Sequence, residues 1–395
     1  MSGFADAAAA LVPELVAVRR ELHAVAEVGL HLPRTQAVLQ RELAALGLDV
    51  STGVGLSSVT AVLRGARPGP VVLLRADMDA LPVAEATGLP FSSPLATMHA
   101  CGHDLHMAGL LGAARLLAAR RSELAGAVVF MFQPGEEGYA GARLMIEEGV
   151  LDAAGDTPVA AYALHVDTMT DAGTFVTRPG PMMASVSAAT LTLRGTGGHA
   201  ALPHQGIDPV PVAAELVLAV QTFGARRLPA TDPAVLSVTG IRSDSAAGNV
   251  LSETVTLVLN VRTFSDGTRA RVRDELPALL AGIATAHGCT LETDWVDSYP
   301  VTVNDPDETA VVLDGLRAAH GPARVRVLEA PSPASEDFAY VLERVPGVLV
   351  FLGVAPASGR APLHSDRAVF DDAQLGLHAA TLADLAWNRA HRPGR

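Results

Sequence analysis

The sequence predicts an α/β protein in which one layered helix-and-sheet domain is interrupted by a smaller module. Two observations carry that prediction. Short β-rich runs at Val59–Arg64, Val71–Arg75, Ala127–Phe132 and Ala160–Val166 alternate with stretches of helical periodicity, the pattern of a sheet covered by helices. From about Ser185 the order changes to strand, helix, two strands, helix, strand, and beyond Tyr299 the first pattern resumes. The β-α-β-β-α-β order is the split βαβ, or ferredoxin-like, unit. The expected division is residues 1–184 and 299–395 for an α/β/α domain, with residues 185–298 inserted between them.

Taken in order, residues 5–28 place apolar side chains at helical spacing, and Pro33 suits the first turn of a second helix. Gly65, Pro68, Gly69 and Pro70 separate the first two strands, and Asp77 and Asp79 follow the second at its carboxyl end. A loop rich in Gly, Pro and Ser leads to Cys101–Gly102–His103–Asp104, then to a helix over about His106–Arg121. The strand Ala127–Phe132 runs into Pro134–Gly135–Glu136–Glu137–Gly138, and a helix follows as far as Glu148. His165 lies near the end of the strand Ala160–Val166. In the insert, strands are expected over Ala188–Arg194, Val235–Arg242, Glu253–Phe264 and Thr290–Tyr299, and helices over Pro209–Arg226 and Asp266–His287. The alternation through Thr254–Arg262 suits an antiparallel sheet with one face outside the core. Helices near Glu308–His320 and Ser335–Arg344, a strand at Val348–Val354 and a last helix over Asp371–Ala390 complete the first domain.

Composition narrows the function. With 395 residues, 49% of them hydrophobic, the chain can bury a large core and still build a second module. A formal charge of −13 argues against nucleic acid or an anionic membrane as partner. No apolar run reaches transmembrane length, and the N-terminus reads as an amphipathic helix rather than a signal peptide. Every one of the 29 Lys-or-Arg positions is arginine, which excludes a P-loop or a Schiff-base lysine. Two cysteines, Cys101 and Cys289, make no disulfide framework, so a cytoplasmic setting is expected.

The candidate chemistry starts at Cys101 and His103. A thiolate and an imidazole two residues apart in a short turn are ligands for borderline-soft first-row metals. A bare C-x-H is more often a buried Cys beside a loop His. Here acidic and imidazole groups recur at the ends of further strands, where open α/β sheets form their sites. In an extended segment neighbouring side chains point opposite ways, so one of Glu136 and Glu137 can bind metal while the other faces water. Acidic residues ahead of a helix also simply favour its dipole. Of His99, His103 and His106 at most two need be ligands, the rest serving as support. His165 and His364 have plain packing and surface readings beside the metal one. His199 follows glycines that let backbone approach a ligand closely, and could donate to an oxyanion, though a glycine-rich strand-to-loop turn explains the glycines equally well. His23, His31, His287, His320, His378 and His391 are expected at the surface, and Cys289 in packing. No Gly-x-Ser-x-Gly elbow supports a serine nucleophile. The segments converge best on a two-metal hydrolytic centre, in which cations about 3.5–4 Å apart polarise a carbonyl and activate water.

These residues resemble the M20 metallopeptidase and amidohydrolase family, and within it the hippurate hydrolases, N-acyl-amino-acid amidohydrolases and auxin-conjugate hydrolases. The matching segments run from about Arg75 to His364: RADMDALPVAEATGLPFSS, MHACGHDLHMAGLLGAARLL, FQPGEEGYAGARLMIEEGV, ALHV, GTGGHAALPHQGIDPV, SEDFAY and LHSD. The resemblance implies two divalent ions, Zn or Mn with Co or Ni as alternatives, bound by Cys101, His103, Glu137, His165 and His364. Cys101 would bridge them, Glu136 would act as general base and proton donor, and Asp77 would orient a ligand. The insert would be a dimerisation and lid domain, making a homodimer or higher assembly. From it His199 and Asn249 would reach the partner subunit's site, and Arg262 would help hold the substrate carboxylate. The implied reaction is hydrolysis of N-acyl amino acids, hippurate-like, N-acetyl or related, to a carboxylic acid and a free amino acid. A dipeptidase or carboxypeptidase on the same scaffold, or a non-catalytic ligand-binding relative, is the alternative. The chain departs from the subgroup at Ala26 and Ser252, where proline is usual, and at Leu32–Pro33–Arg34, which lacks an acidic residue.

Overall fold

The computed structural model describes residues 3–357 and 359–392 and divides into two compact units. The larger takes in the chain up to Met182, Val303–Ala330 and the chain from Asp337 on; the smaller holds Met183–Thr302 and Pro331–Glu336. The first passage contains α1 (Ala5–Val25), α2 (Pro33–Ala44), β1 (Asp49–Thr52), β2 (Val59–Arg64), β3 (Arg67–Asp77) and α3 (His103–Ala119). It continues with β4 (Ala125–Gln133), α4 (Gly141–Glu147), β5 (Ala160–Asp167), β6 (Phe175–Thr177) and β7 (Gly180–Met183). Then come β8 (Ser185–Arg194), β9 (Gly198–His199), α5 (Pro209–Arg227), β10 (Ala234–Ser243), β11 (Val250–Leu251), β12 (Thr254–Thr263), α6 (Asp266–Ala286) and β13 (Thr290–Tyr299). Last are β14 (Thr302–Asn304), α7 (Pro306–His320), β15 (Val325–Val327), α8 (Ala339–Leu342), β16 (Gly347–Gly353) and α9 (Leu375–Ala390).

Eight strands of the larger unit form one mixed sheet in the order β1-β2-β4-β3-β5-β16-β6-β15. Its central strands β4, β3, β5 and β16 are mutually parallel and buried on both faces, which is why they read as unbroken apolar runs. The short strands β1, β6 and β15 towards the two ends of the sheet, three or four residues each, are too short to announce themselves by periodicity. Helices α1, α3 and α9 pack on one another, and α3 and α9 on the central strands. The closeness of α3 and α9 rests on Gly109, where a Cβ would come within 2.0 Å of the His378 ring. His378 is therefore 1% exposed, not at the surface, and burial lowers its pKa to about 4.

His23 is buried as well, against expectation, because its partners come from segments remote in sequence. Its Nδ1 lies 2.8 Å from Asp104 Oδ2 and its Nε2 3.0 Å from Glu85 Oε2. Burial opposes an imidazolium there, yet the two carboxylates outweigh it and raise the pKa. Arg19 Nε donates to the same Asp104 oxygen at 2.7 Å. Glutamate, histidine, aspartate and arginine thus tie α1 to the first turn of α3.

The smaller unit is a four-stranded antiparallel sheet in the order β10-β12-β8-β13, with α5 and α6 packed together on one face. Val255, Leu257, Leu259 and Val261 of β12 alternate into its core. Asp208 and Ser265 accept backbone N–H groups at the starts of α5 and α6. Free Cys289 packs in this core.

Two further boundaries differ from expectation. The helix after the cysteine turn starts at His103, three residues early. The helix expected over Ser335–Arg344 shrinks to α8, because Asp337 is held in a loop by Arg75, Gln133 and the Ala142 N–H. Among the described residues, no helix is long and apolar enough to cross a membrane.

Asp104 compensates two buried cations, so Asp104→Ala should destabilise the metal-free protein by about 3–5 kcal/mol in denaturant unfolding.

Candidate metal centre

Parallel neighbours β4, β3 and β5 bring their carboxyl ends to one edge of the sheet. Asp77 closes β3, the turn after β4 carries Glu136 and Glu137, and His165 stands two residues before the end of β5. Cys101 and His103 arrive by a separate route, through the loop into α3. Between them Gly102 adopts φ 81°, and a Cβ there would lie 2.4 Å from Val166 Cγ2. Only glycine fits that position. His364 sits in a loop at φ 65°, one of two non-glycine residues with positive φ among those described. Its N–H donates to the Ala100 carbonyl at 2.9 Å, next to Cys101.

The five side chains expected as ligands come together in overlapping groups. The donor atoms of Cys101, His103 and His165 lie within 4.8 Å of one another, and so do those of Cys101, Glu137 and His364. Cys101 belongs to both triads. A third group of the same tightness joins His103, Glu136 and Glu137. Cys101 Sγ is 3.6 Å from His165 Nε2, and Glu137 Oε1 is 3.2 Å from His364 Nε2. His103 and His165 direct Nδ1 to backbone carbonyls, of Asp79 and Val166, each at 2.8 Å. That leaves Nε2 of each as the donor atom for the cluster. His103 Nε2 is buried without a hydrogen-bond partner.

The carboxylates around the cluster are fixed by distinct partners. Asp77 accepts from His106 Nδ1 at 2.5 Å and from Arg75 Nη1 at 2.7 Å, and it lies 3.6 Å from His103 Nε2. Burial would raise its pKa, but Arg75, His103 and His106 hold it well below the usual carboxylate range. His106 has one tautomer available: Nε2 accepts the Val166 N–H at 2.9 Å, so Nδ1 carries the proton. Asp79, to which the sequence reading gave no role, does more positioning than Asp77. Its two oxygens accept the N–H groups of Glu136 at 3.0 Å and Glu137 at 3.1 Å, and its carbonyl takes His103. Asp337 was equally unmarked; only its place in SEDF hinted at it. A buried carboxylate two residues from another, as in Asp77–Met78–Asp79, was the available signal for Asp79.

The electrostatics favour a cation. Burial disfavours charge on His103, yet Asp77, Asp79 and Glu137 lift its pKa to about 10. Burial first, then Glu137, Glu136 and Asp77, push the Cys101 thiol well up. A thiol so placed keeps its proton until a positive ion displaces it. One thiolate, three imidazoles and a carboxylate form a donor set of the kind zinc and similar ions take.

The residues expected to contact substrate lie on the smaller unit. His199 on β9 and Asn249 just before β11 meet at a small two-stranded antiparallel sheet, where the Asn249 carbonyl accepts the Ala200 N–H at 3.0 Å; both residues are exposed. Arg262 on β12 donates from Nε to Asn260 Oδ1 at 3.1 Å and from Nη1 to Ser335 Oγ at 3.0 Å.

Residues 73–388 match the model of peptidase family M20/M25/M40, and the chain belongs to that family. It is accordingly a metal-dependent hydrolase of amide bonds. It is 39% identical to the N-acetyl-L-cysteine deacetylase of Bacillus subtilis (strain 168), covering 87% of this chain and 81% of that one. It is 34% identical to thermostable carboxypeptidase 1 of Saccharolobus solfataricus over 94% of both chains. Among solved structures, it resembles the Bacillus subtilis YXEP protein, a dinuclear metal binding peptidase from the M20 family, with a TM-score of 0.84 and 31% identity. That match covers 97% of this chain and 99% of the other.

Because metal must displace protons from His103 and Cys101, uptake by the metal-free protein should release about two protons at about pH 7 and weaken as pH falls. Calorimetric titration in buffers of different ionisation enthalpy measures the number; an affinity indifferent to acid contradicts it.

Proposed function

We propose that this hydrolase cleaves N-acyl amino acids to a carboxylic acid and a free amino acid, using two divalent ions, zinc or manganese in the first instance. The observation that carries the reading is Cys101, shared by two donor triads, with a second buried carboxylate, Glu136, beside them. Cys101, His103, Glu137, His165 and His364 are the assigned ligands, and ions so held would polarise the amide carbonyl and acidify a water. Glu136 takes the proton of the attacking water and returns it to the leaving nitrogen, so that the amine departs neutral. Its backbone is pinned by Asp79, which keeps the carboxylate from drifting off the cluster. Asp79 orients His103 through its carbonyl, and Asp77 acts through His106, which accepts the Val166 N–H beside His165. His199 and Asn249, supplied in a homodimer by the partner's smaller unit, steady the oxyanion and the substrate. Arg262 takes the substrate carboxylate, for which its planar fork is suited.

The likeness to a deacetylase supports an acyl group on the nitrogen, and the likeness to a carboxypeptidase supports a second reading, cleavage of short peptides. A panel of acetyl-, benzoyl- and long-chain-acyl amino acids against free dipeptides separates the two. Higher kcat/KM on the acyl amino acids is expected; preference for a dipeptide with a free amine would install the second reading. Glu136→Gln should keep its metal, measured by elemental analysis, and lose roughly 10²–10⁴ in kcat. Retained turnover would remove Glu136 from the chemistry.

A further inference from the structure

His364 is the assigned ligand with the least regular support. It stands in the segment between β16 and α9, in a left-handed conformation that a non-glycine residue adopts only when its surroundings impose it. Its own N–H bond to Ala100 fixes one end of the turn, and the Ala86 N–H bond to the Asp366 carbonyl at 2.8 Å fixes the other. Among the described residues, two side chains tie the loop upstream of His364, one of them its own. Arg360 bonds to the Met169 carbonyl at 2.6 Å and pairs with Asp171, but Arg360 and Asp171 are 43% and 77% exposed, so solvent screens that tie. The other is Thr168, fully buried, whose Oγ1 donates to the Ala361 carbonyl at 2.6 Å.

Thr168 also follows His165 by three residues, directly after β5. One short segment therefore delivers His165 and anchors the loop of His364. We propose that Thr168 is a positioning residue, whose hydroxyl sets the His364 loop against the end of β5 and so fixes the distance between the two halves of the donor cluster. This rests on the metal-site reading above, and it adds a residue to which that reading gives no role. Without the hydroxyl the Ala361 carbonyl loses its buried donor, and His364 is free to leave the left-handed region.

The test uses the full-length protein, stripped of metal and titrated with zinc against a chromophoric chelator. Wild type should bind two ions. Thr168→Val, which keeps the shape and removes the hydroxyl, should bind the weaker ion roughly 10- to 100-fold less tightly while holding the tighter one unchanged. Thr168→Ser restores the hydroxyl and should restore the affinity. Cobalt substitution adds a second readout: the absorption of the weaker site should change in Thr168→Val and return in Thr168→Ser. Should Thr168→Val fail to fold by circular dichroism, Thr168→Ala takes its place with the same expectation. Wild-type affinity in the hydroxyl-free variant, or a serine variant as weak as the valine one, overturns the proposal. A wild type that binds no zinc overturns the metal-site reading instead.

Discussion

Arg75 is the charge on which the active edge of the large sheet depends. Its guanidinium is 3% exposed and bonds to Asp77, Asp337 and Gln133 at once. Carboxylates buried at one strand edge would repel each other and take up protons if nothing positive stood among them. With Arg75 in place, Asp77 stays ionised, holds His106, and His106 in turn accepts from the backbone beside His165. Asp337, neutralised by the same arginine, binds the start of α4 and so limits where the Glu136–Glu137 turn can lie. Three separate stretches of chain, β3, the end of β4 and the loop of Asp337, are tied directly by one cation. Lysine could not replace it, since a single ammonium cannot present three donors in a fixed plane.

The negative charge left over is what makes the cluster a site. Asp77, Asp79, Glu136 and Glu137 outnumber the nearby cations, and they act on His103 and Cys101 by holding protons there. Binding a dication would replace those protons with a charge better matched to the surroundings.

Much of this was legible in the chain. Central strands revealed themselves because burial on both faces forces unbroken apolar runs, and the five side chains that the structure groups together could be picked out by the family segments in which they stand. What stayed hidden were interactions whose partners lie far apart in sequence. His23 read as a surface residue since nothing local to it shows Glu85 or Asp104. His378 did so because the space for its ring is made by an absence, at Gly109, on another helix. Asp79 and Asp337 were hidden for a different reason. They bind backbone N–H groups, and no sequence pattern records which amides will need an acceptor. The strands β1, β6 and β15 fell below the length at which alternation can be told from chance.

The strand order has a consequence for biosynthesis. β16, which follows the smaller unit in the chain, lies between β5 and β6, and among the described residues β6 is otherwise paired only with β15. A polypeptide leaving the ribosome therefore cannot finish its main sheet until β16 has been translated, whereas the strands and helices of the smaller unit, apart from a short return passage, are complete earlier. For that interval the flank of β5 is an open row of amides and carbonyls, the kind of surface that attracts other nascent chains.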